Sequence, residues 1–442
     1  MKHDSKPIWI ATIVKDFGAI CQQMHEKLED SAPSNLLADA EKLAIEKMRN
    51  MTCQIQQQAI QHEIDERTSQ RDYRLCRCGQ RMRHRGIKQR QFITKAGSIE
   101  LSGIYLHCKC GNTKPIKQFV SGHSTMTPQA TELIVRYAGS MPYRTSGRYL
   151  KDDFGIKLSH ETVKQIAVSA GHQIARVRNE NSDVESWKKL DGQKLYGYAD
   201  GVLINVNSEG WKECKLLRFE PEDGSEVRFR AVLGNVDRFG RTARREVTHL
   251  KASLADEIVF LMDGAKGLAN HIEKNLPMSR LIVDYWHVCQ HISECAGKLY
   301  PDDPAKAEKW RKKYCHMLRE EGPVRLLKSL STSKRHRDDE HVVILSKLIN
   351  FIKPRVRKID YPKLIADGYR VDSGPIESAC KNVVQARMKM AGMRWSRVGA
   401  VAMLEVRTAL MSDLWKKTIR QIAAQKILRT PGLPHLNSQY FL

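Results

Sequence analysis

The chain has 442 residues, more than one compact core usually holds, so we expect several domains and exclude a single small binding module. Lys and Arg number 74 against 50 Asp and Glu, which gives a formal net charge of +24. A soluble protein tolerates such self-repulsion best when its partner is polyanionic, so nucleic acid is the first candidate partner. A merely solvated basic surface is the alternative.

Hydropathy and cysteine usage indicate the cellular compartment in which the protein is expected. No apolar run approaches the ~20 residues of a membrane span, and the segment from Met1 to Pro7 lacks the apolar core of a signal peptide. We therefore expect a cytoplasmic protein with no membrane partner. The 11 cysteines are scattered except for one cluster of four, which fits free thiols and a candidate metal site in a reducing compartment.

The first predicted region, residues 1–71, is helical. Helix-forming residues at helical spacing run from Ile8 to Arg71, and Gly18 and Pro33 are the predicted internal breakers. This pattern predicts a helical arm or a pair of helices.

The second predicted region, residues 72–120, is a basic β-ribbon with two cysteine pairs. Nine Lys or Arg and one acid lie from Arg71 to Lys95, and residues alternate in polarity from Ile99 to Leu106. Each pair is Cys-x-Cys followed by Gly, whereas zinc-ribbon turns usually have two residues between the cysteines, so reduced cysteines in a small hairpin remain the alternative. The basic flank favours a DNA contact. The candidate zinc ligands are Cys76, Cys78, Cys108 and Cys110.

The third predicted region, residues 121–190, has a helix-turn-helix pattern. A helix from Tyr143 to Phe154 is followed by a short turn, and Ser159 is the expected N-cap of the next helix. That helix exposes His160 and Lys164, residue types that can contact phosphates or base edges. An ordinary helical hairpin would show the same pattern.

Strand and helix periods alternate from residue 191 to residue 287. An antiparallel meander of three strands precedes a helix, and a strand, a helix, a strand and a helix follow; this is the order of a ribonuclease-H-like α/β domain. The predicted strands are Leu195 to Val206, interrupted at Asp200-Gly201, then Glu213 to Phe219, Val227 to Leu233, Ile258 to Met262 and Leu281 to Val283, with a helix from Arg244 to Leu254.

Two carboxylates are expected to meet at one edge of this sheet. The first and fourth strands of such a sheet are parallel neighbours, which brings Asp200 close to Asp263. Unpaired carboxylates repel each other, and a divalent cation such as Mg²⁺ relieves that repulsion. A third carboxylate from a later helix would complete a two-metal site. Taken singly, an Asp before a Gly is more often a turn residue.

Four motifs in order carry a family resemblance that extends roughly from Leu195 to Trp415. The chain resembles DDE transposases of the Mutator-like group of bacterial insertion sequences, and the upstream regions are also similar to that group. The motifs are Tyr198-Ala199-Asp200-Gly201, Asp263-Gly264-Ala265-Lys266-Gly267-Leu268, Asp284-Tyr285-Trp286-His287 and Gly374-Pro375-Ile376-Glu377-Ser378.

The resemblance implies a catalytic triad of Asp200, Asp263 and Glu377, holding two Mg²⁺ or Mn²⁺ ions. It makes Asp284 and His287 the Asp-x-x-His motif of such enzymes, in which His287 orients the scissile phosphate or protonates a leaving oxygen. Asp284 also ends a strand and is the rival second carboxylate; strand order favours Asp263. A capping or core role is the alternative for His287.

The catalytic domain is predicted to comprise residues 191–287 and 368–420. Between them residues 288–367 form an all-α insertion, and residues 421–442 form a C-terminal tail. The helix that begins near Ser373 carries Glu377, and its continuation has no acid until Glu405, which favours a phosphate-binding surface with one aromatic that stacks on a displaced base. The residues predicted to bind DNA there are Lys381, Gln385, Arg387, Lys389, Arg394 and Trp395.

The implied function is Mg²⁺-dependent cleavage and strand transfer of double-stranded DNA at transposon ends, in a bacterial cytoplasm and at the nucleoid. Two ends must be held together, so a homodimer is expected. A non-catalytic DNA-binding regulator with a remnant of this fold is one alternative, and a structure-selective nuclease of the same fold is the other.

Overall fold

The computed structural model describes residues 7–116, 125–180, 190–263, 266–334, 338–412 and 415–424. Helices and sheets are mixed, and the chain divides into two compact units, one of Met1–Ile174 with Lys417–Leu442 and one of Ala175–Lys416. Within the described ranges no helix is both long and apolar enough to cross a membrane. The predicted tail beyond residue 424, the predicted boundary near residue 120, and Gly264-Ala265 of the second motif lie outside the described residues.

Two long helices open the first unit, and only one of the two predicted breakers ends a helix. Helix α1, Ile8–Glu29, continues through Gly18, and helix α2, Leu36–Ser69, begins after the turn that contains Pro33. The predicted break at Gly18 was wrong, because one glycine inside a helix costs only about 1 kcal/mol relative to alanine.

A three-stranded antiparallel sheet packs on α2. Strands β1, Arg83–Thr94, and β2, Gly97–His107, form a hairpin, and the short β3, Thr113–Lys114, pairs with the end of β2. A small core joins this hairpin to the helix. Its buried members are Ile64, Phe92, Ile99, Leu101 and Ile116.

Three helices follow: α3, Pro128–Ser140, α4, Tyr143–Phe154, and α5, His160–Glu180. The predicted start of α5 is confirmed, because Ser159 Oγ accepts a hydrogen bond of 3.1 Å from the backbone N–H of Thr162. Gly155 ends α4 in the left-handed conformation that a residue without a side chain adopts at low cost. His160 and Lys164 are exposed in the first turns of α5, where Lys164 forms an ion pair with Glu161 at 3.2 Å.

The second unit is built on a five-stranded sheet of order β6-β5-β4-β7-β8. The first three strands are antiparallel, whereas β7 runs parallel to β4 and β8 parallel to β7. The predicted adjacency of the first and fourth strands is therefore present. The strands are β4, Lys194–Val206, β5, Gly210–Pro221, β6, Arg228–Leu233, β7, Glu257–Met262, and β8, Arg280–Val283.

Two predicted boundaries in this unit were wrong. Strand β4 is not interrupted at Asp200-Gly201, because both residues continue the pairing with β5. The helix predicted from Arg244 to Leu254 is α6, Val236–His249, which begins earlier because Asn235 caps it. The remaining helices are α7, Lys266–Asn275, α8, Tyr285–Leu299, α9, Pro304–Glu320, α10, Gly322–Lys334, α11, Asp339–Ile352, α12, Tyr361–Ala366, α13, Gly374–Ala379, α14, Ala386–Met388, α15, Arg397–Met411, and α16, Trp415–Ala424.

The two faces of the sheet have different environments. One face packs against α6 and α7 through a core that includes Ala199, Phe219, Phe260 and Met262. The opposite face lies under the chain that leads into α13, where the guanidinium of Arg370 donates to Tyr198 Oη at 3.0 Å. This second face carries the candidate site.

Candidate active site and cysteine cluster

Three aspartates stand in one row, each directly after the last residue that takes part in the parallel pairing of β4, β7 and β8. Ala199 pairs with Met262, and Met262 pairs with Val283. Each of these residues is followed by an aspartate, and neighbouring strands lie about 4.8 Å apart. The three are Asp200, Asp263 and Asp284.

Asp200 and Asp263 are on the face opposite the α6–α7 core. Side chains alternate along a strand, so Asp200 shares its face with Tyr198, which pairs with Leu261, and Asp263 shares the face of Leu261. Both aspartates are only half-buried, although Oδ1 of Asp263 is itself covered.

Asp284 has a different environment. It is 1% exposed, and its Oδ1 accepts a hydrogen bond of 2.8 Å from the backbone N–H of His287, which makes it the N-cap of α8. Its Oδ2 accepts from the backbone N–H of Ser373, the residue that precedes α13. Two backbone donors therefore occupy this carboxylate, and it holds two helix starts together instead of facing solvent.

Cys380 links Glu377 to Asp200. The Cys380 thiol donates to Asp200 Oδ2 at 3.5 Å. Glu377 is exposed and precedes Cys380 by three residues, which places the two side chains on one helix face. Burial and then the charge of Asp200 raise the pKa of the Cys380 thiol, and the charge of Glu377 adds a smaller increase.

A π-helical turn, Cys380–Gln385, continues directly from α13. Such turns are rare and occur frequently at functional sites, because the extra residue rotates the downstream part of the helix relative to the upstream part. Here the turn begins at the residue that contacts Asp200.

His287 begins a histidine pair on α8. It is half-buried, and His291 follows it by one helical turn, with its ring centroid 4.0 Å from that of Phe351. Burial lowers the pKa of His291, and His287 and Asp263 are among the groups close enough to influence that pKa. His291 therefore lies within electrostatic range of Asp263, the middle aspartate of the row.

Two residues predicted to bind DNA are buried, and the predicted contacts were wrong for them. Trp395 is 5% exposed and its Nε1 donates to the carbonyl of Met388 at 3.0 Å, so its ring is not available to stack on a base. Arg387 is 1% exposed with its guanidinium 5.0 Å from the centre of that ring. Lys381, Lys389 and Arg394 are exposed and Gln385 is half-buried, as a phosphate-facing surface requires.

Sequence reasoning missed Cys380, His291 and Trp211. Trp211 is 57% exposed at the start of β5, and Lys389 Nζ lies 5.7 Å from its ring centroid. Only His291 had a signal, its spacing of four from His287; a strand aromatic such as Trp211 usually indicates core.

The four predicted cysteines form a tight cluster in the first unit. The Sγ atoms of Cys76 and Cys110 are 3.6 Å apart, as are those of Cys78 and Cys108, and all four lie within 4.8 Å of one another. Four sulfurs bound to one zinc at about 2.3 Å would stand about 3.8 Å apart. The cluster can therefore hold a metal such as zinc. The same convergence does not occur at the row of aspartates: in the part of the chain that the structure describes, sets of three or more candidate ligand atoms within that distance occur at these cysteines alone.

The two Cys-x-Cys-Gly segments fold alike, which explains how the short spacing works. Gly79 and Gly111 have φ angles of 81° and 88°, and each donates its N–H to the carbonyl of the first cysteine of its pair, Cys76 or Cys108. The backbone N–H of Cys78 and then the amide of Asn112 lower the pKa of Cys76 to about 6. A thiol that ionises so readily suits a metal ligand.

We expect the purified protein to contain about one zinc per chain, measured by elemental analysis. Replacing Cys108 by Ser should remove the metal and lower the protection of the β1–β2 hairpin in hydrogen exchange, because the thiolates hold its ends. Cys21→Ser, an exposed cysteine on α1, is the matched control and should change neither quantity. Equal metal content in both variants would contradict the assignment.

Two half-buried carboxylates where the parallel pairing of β4 and β7 ends, with a third on a helix and a separate four-cysteine cluster, define an α/β protein with two candidate metal sites. The family model described as Uncharacterised protein family (UPF0236) matches residues 119–422, and the chain belongs to that family. No curated protein matches the chain.

One solved structure that aligns with the chain is titled "Drosophila P element transposase strand transfer complex". The alignment covers 71% of this chain and 85% of that one, with 10% identity and a TM-score of 0.25. A likeness of this size does not establish a shared fold.

Proposed function

We propose that this protein is a DDE-type transposase, with a ribonuclease-H-like catalytic domain, that cleaves transposon ends and joins them to target DNA. The observation that carries the proposal is the placement of Asp200 and Asp263 side by side on one face, with Glu377 one helical turn from a thiol that contacts Asp200. The sequence motifs of the Mutator-like group fall on these same residues.

The donor set fits a hard divalent cation. Asp200, Asp263 and Glu377 offer carboxylate oxygens, which are the ligands that Mg²⁺ and Mn²⁺ prefer, and their partial exposure leaves room for water and phosphate. Two ions about 3.5–4 Å apart need ligands spread over a larger space than one ion does, so the three carboxylates of a two-metal site need not converge on a single point. Bound there, the metal ions would supply charge neutralisation of the phosphate and activation of the attacking oxygen.

The chain's own residues would orient the DNA. In the proposed reaction a water oxygen attacks phosphorus in line, the P–O3′ bond breaks, and the freed 3′-hydroxyl then displaces a 3′-oxygen in target DNA. No covalent enzyme intermediate is required. His287, three residues after Asp284 on α8, would orient the scissile phosphate or give a proton to the leaving oxygen. Lys381, Lys389 and Arg394 would bind the backbone of the same strand.

A strand-transfer assay tests the proposal. The substrate is supercoiled plasmid carrying the coding sequence with its genomic flanks, mixed with a second plasmid as target and either Mg²⁺ or EDTA. We expect Mg²⁺-dependent breaks that leave 3′-hydroxyls at the element's ends, followed by junctions with the target plasmid. Asp200→Asn should bind the same DNA and produce neither product.

The outcomes separate this function from the two alternatives. DNA binding with no break under any divalent ion would indicate a regulator and overturn the proposal. Breaks that never become junctions would indicate a nuclease of the same fold. Crosslinking the protein bound to paired ends tests the homodimer that end synapsis requires.

A further inference from the structure

The basic residues of β1 share one face of the hairpin because of a single bulge. In the sequence, Arg83 and Arg85 have odd numbers and Lys88 and Arg90 have even numbers, so a regular strand would place the two pairs on opposite faces. The register shifts between His84 and Ile87, where β1 has one extra residue. Gly86, with φ of 96°, lies in this bulge.

The pairing shows the result. Arg83 pairs with His107, Lys88 with Gly103 and Arg90 with Leu101, so all three partners are alternate residues of β2 on one face. Arg85 precedes the extra residue and shares the face of Arg83. We call the four cations, Arg83, Arg85, Lys88 and Arg90, the β1 basic stripe.

The stripe is exposed and has no counter-charge. Each of its four residues is exposed, and within the described residues no carboxylate forms an ion pair with any of them. Four like charges on about 20 Å of strand repel each other and oppose folding. A bulge that collects them on one face is therefore costly unless a polyanion lies against that face.

The hairpin presents the outer edge of β1 and not its tip. The turn between β1 and β2 is occupied, because Cys53 of α2 donates its thiol to the carbonyl of Ala96 at 3.4 Å, and a side chain at Gly97 would collide with that sulfur. Between Arg83 and Gln91 the described residues place no strand beside the outer edge of β1. The stripe shares its face with the buried residues Phe92 and Leu101, so the accessible element is the outer, bulged part of β1, whose exposed cations suit a phosphate backbone better than the floor of a groove.

We infer that the β1 basic stripe binds the phosphate backbone of duplex DNA, without reading its sequence. The stripe spans a little more than half of a duplex turn of about 34 Å. The inference extends the proposed function by naming a DNA-contacting surface outside the carboxylate site. The inference requires that the full chain binds DNA, and it does not depend on catalysis.

The test measures the salt dependence of DNA binding with the full-length Asp200→Asn protein in EDTA, so that no cleavage occurs. Each lost phosphate contact should make the negative slope of log K against log salt shallower by about 0.9. The double variant Lys88→Gln, Arg90→Gln should therefore be shallower by about 1.8. The loss should be equal for element-end duplex and for unrelated duplex.

A face-swap variant separates position from charge. Lys88→Gln, Gln89→Lys, Arg90→Gln, Gln91→Arg keeps the net charge and moves two cations to the other face of the same strand. We expect its slope of log K against log salt to become shallower by the same amount as that of the double variant. The control variant Lys15→Gln, Lys27→Gln removes two exposed charges from α1, and its slope should change much less.

Three results would overturn the inference. They are a face-swap variant that binds like the parent, an α1 control that loses as much as the double variant, and a defect confined to one DNA sequence. Failure of the transposase proposal is distinct, since it would show as missing cleavage in the metal-dependent assay while the slopes still behave as expected. Unchanged zinc content and circular dichroism verify that each variant is folded.

Discussion

Asp263→Asn should abolish DNA strand cleavage while leaving DNA binding and the free energy of unfolding almost unchanged. A metal ligand is worth several kcal/mol in the transition state, and such a loss corresponds to a rate reduction on the order of 10³-fold or more. The amide keeps the size of the carboxylate but removes its charge. Single-turnover cleavage of an intact end duplex in Mg²⁺ measures the effect.

Asp256→Asn is the matched control, since Asp256 is an exposed aspartate just before the opposite end of the same strand, β7. It should cleave at the parent rate. Full activity in Asp263→Asn would show that the second carboxylate lies elsewhere, and Asp284 would then be the next candidate.

Asp284→Ala should differ from Asp263→Asn, because it should lower the free energy of unfolding together with any loss of activity. The change leaves two backbone N–H groups, those of His287 and Ser373, without their acceptor in a buried position. Each such group costs about 1–3 kcal/mol, so we expect the free energy of unfolding to fall by about 3 kcal/mol. Chemical denaturation followed by circular dichroism measures it.

Asp303→Ala provides the comparison, because Asp303 caps α9 through Lys306 in an exposed position. An exposed cap is worth about 1 kcal/mol. A decrease for Asp284→Ala no larger than that of Asp303→Ala, together with complete loss of Mg²⁺-dependent cleavage, would favour a ligand role for Asp284 instead of a structural one.

The order of strands in the second unit was predictable because buried strands require runs of apolar residues, and such runs are visible in the sequence. The β-branched and aromatic runs that end at Met262 and Val283 form β7 and β8, whose buried side chains must be apolar. The end of α1 was less predictable, because Gly18 and Pro33 look alike as breakers and only proline removes a backbone donor.

The roles of single polar residues were harder to predict. Asp263 and Asp284 each follow a strand, and the sequence does not reveal that one of them faces a backbone N–H group from Ser373, far along the chain. Trp395 followed a run of cations and suggested a stacking surface, yet its backbone bonds to Asn205 and Asn207 hold it beside the end of β4, with its ring inside. These outcomes depend on long-range packing, which local patterns do not encode.

Asp284 also determines how the helical insertion is attached. The chain leaves the sheet at Tyr285, whose N–H bonds to the carbonyl of Val371, and returns at Ser373, whose N–H bonds to Asp284. These hydrogen bonds hold the two ends of the insertion together at one point. The number of residues between those ends therefore does not set the position of Glu377. The insertion also contacts the sheet directly, because Tyr361 Oη donates to the carbonyl of Val283 at 2.8 Å, so a replacement would have to keep α12. For engineering, the Asp284–Ser373 junction marks where a different helical module can be grafted.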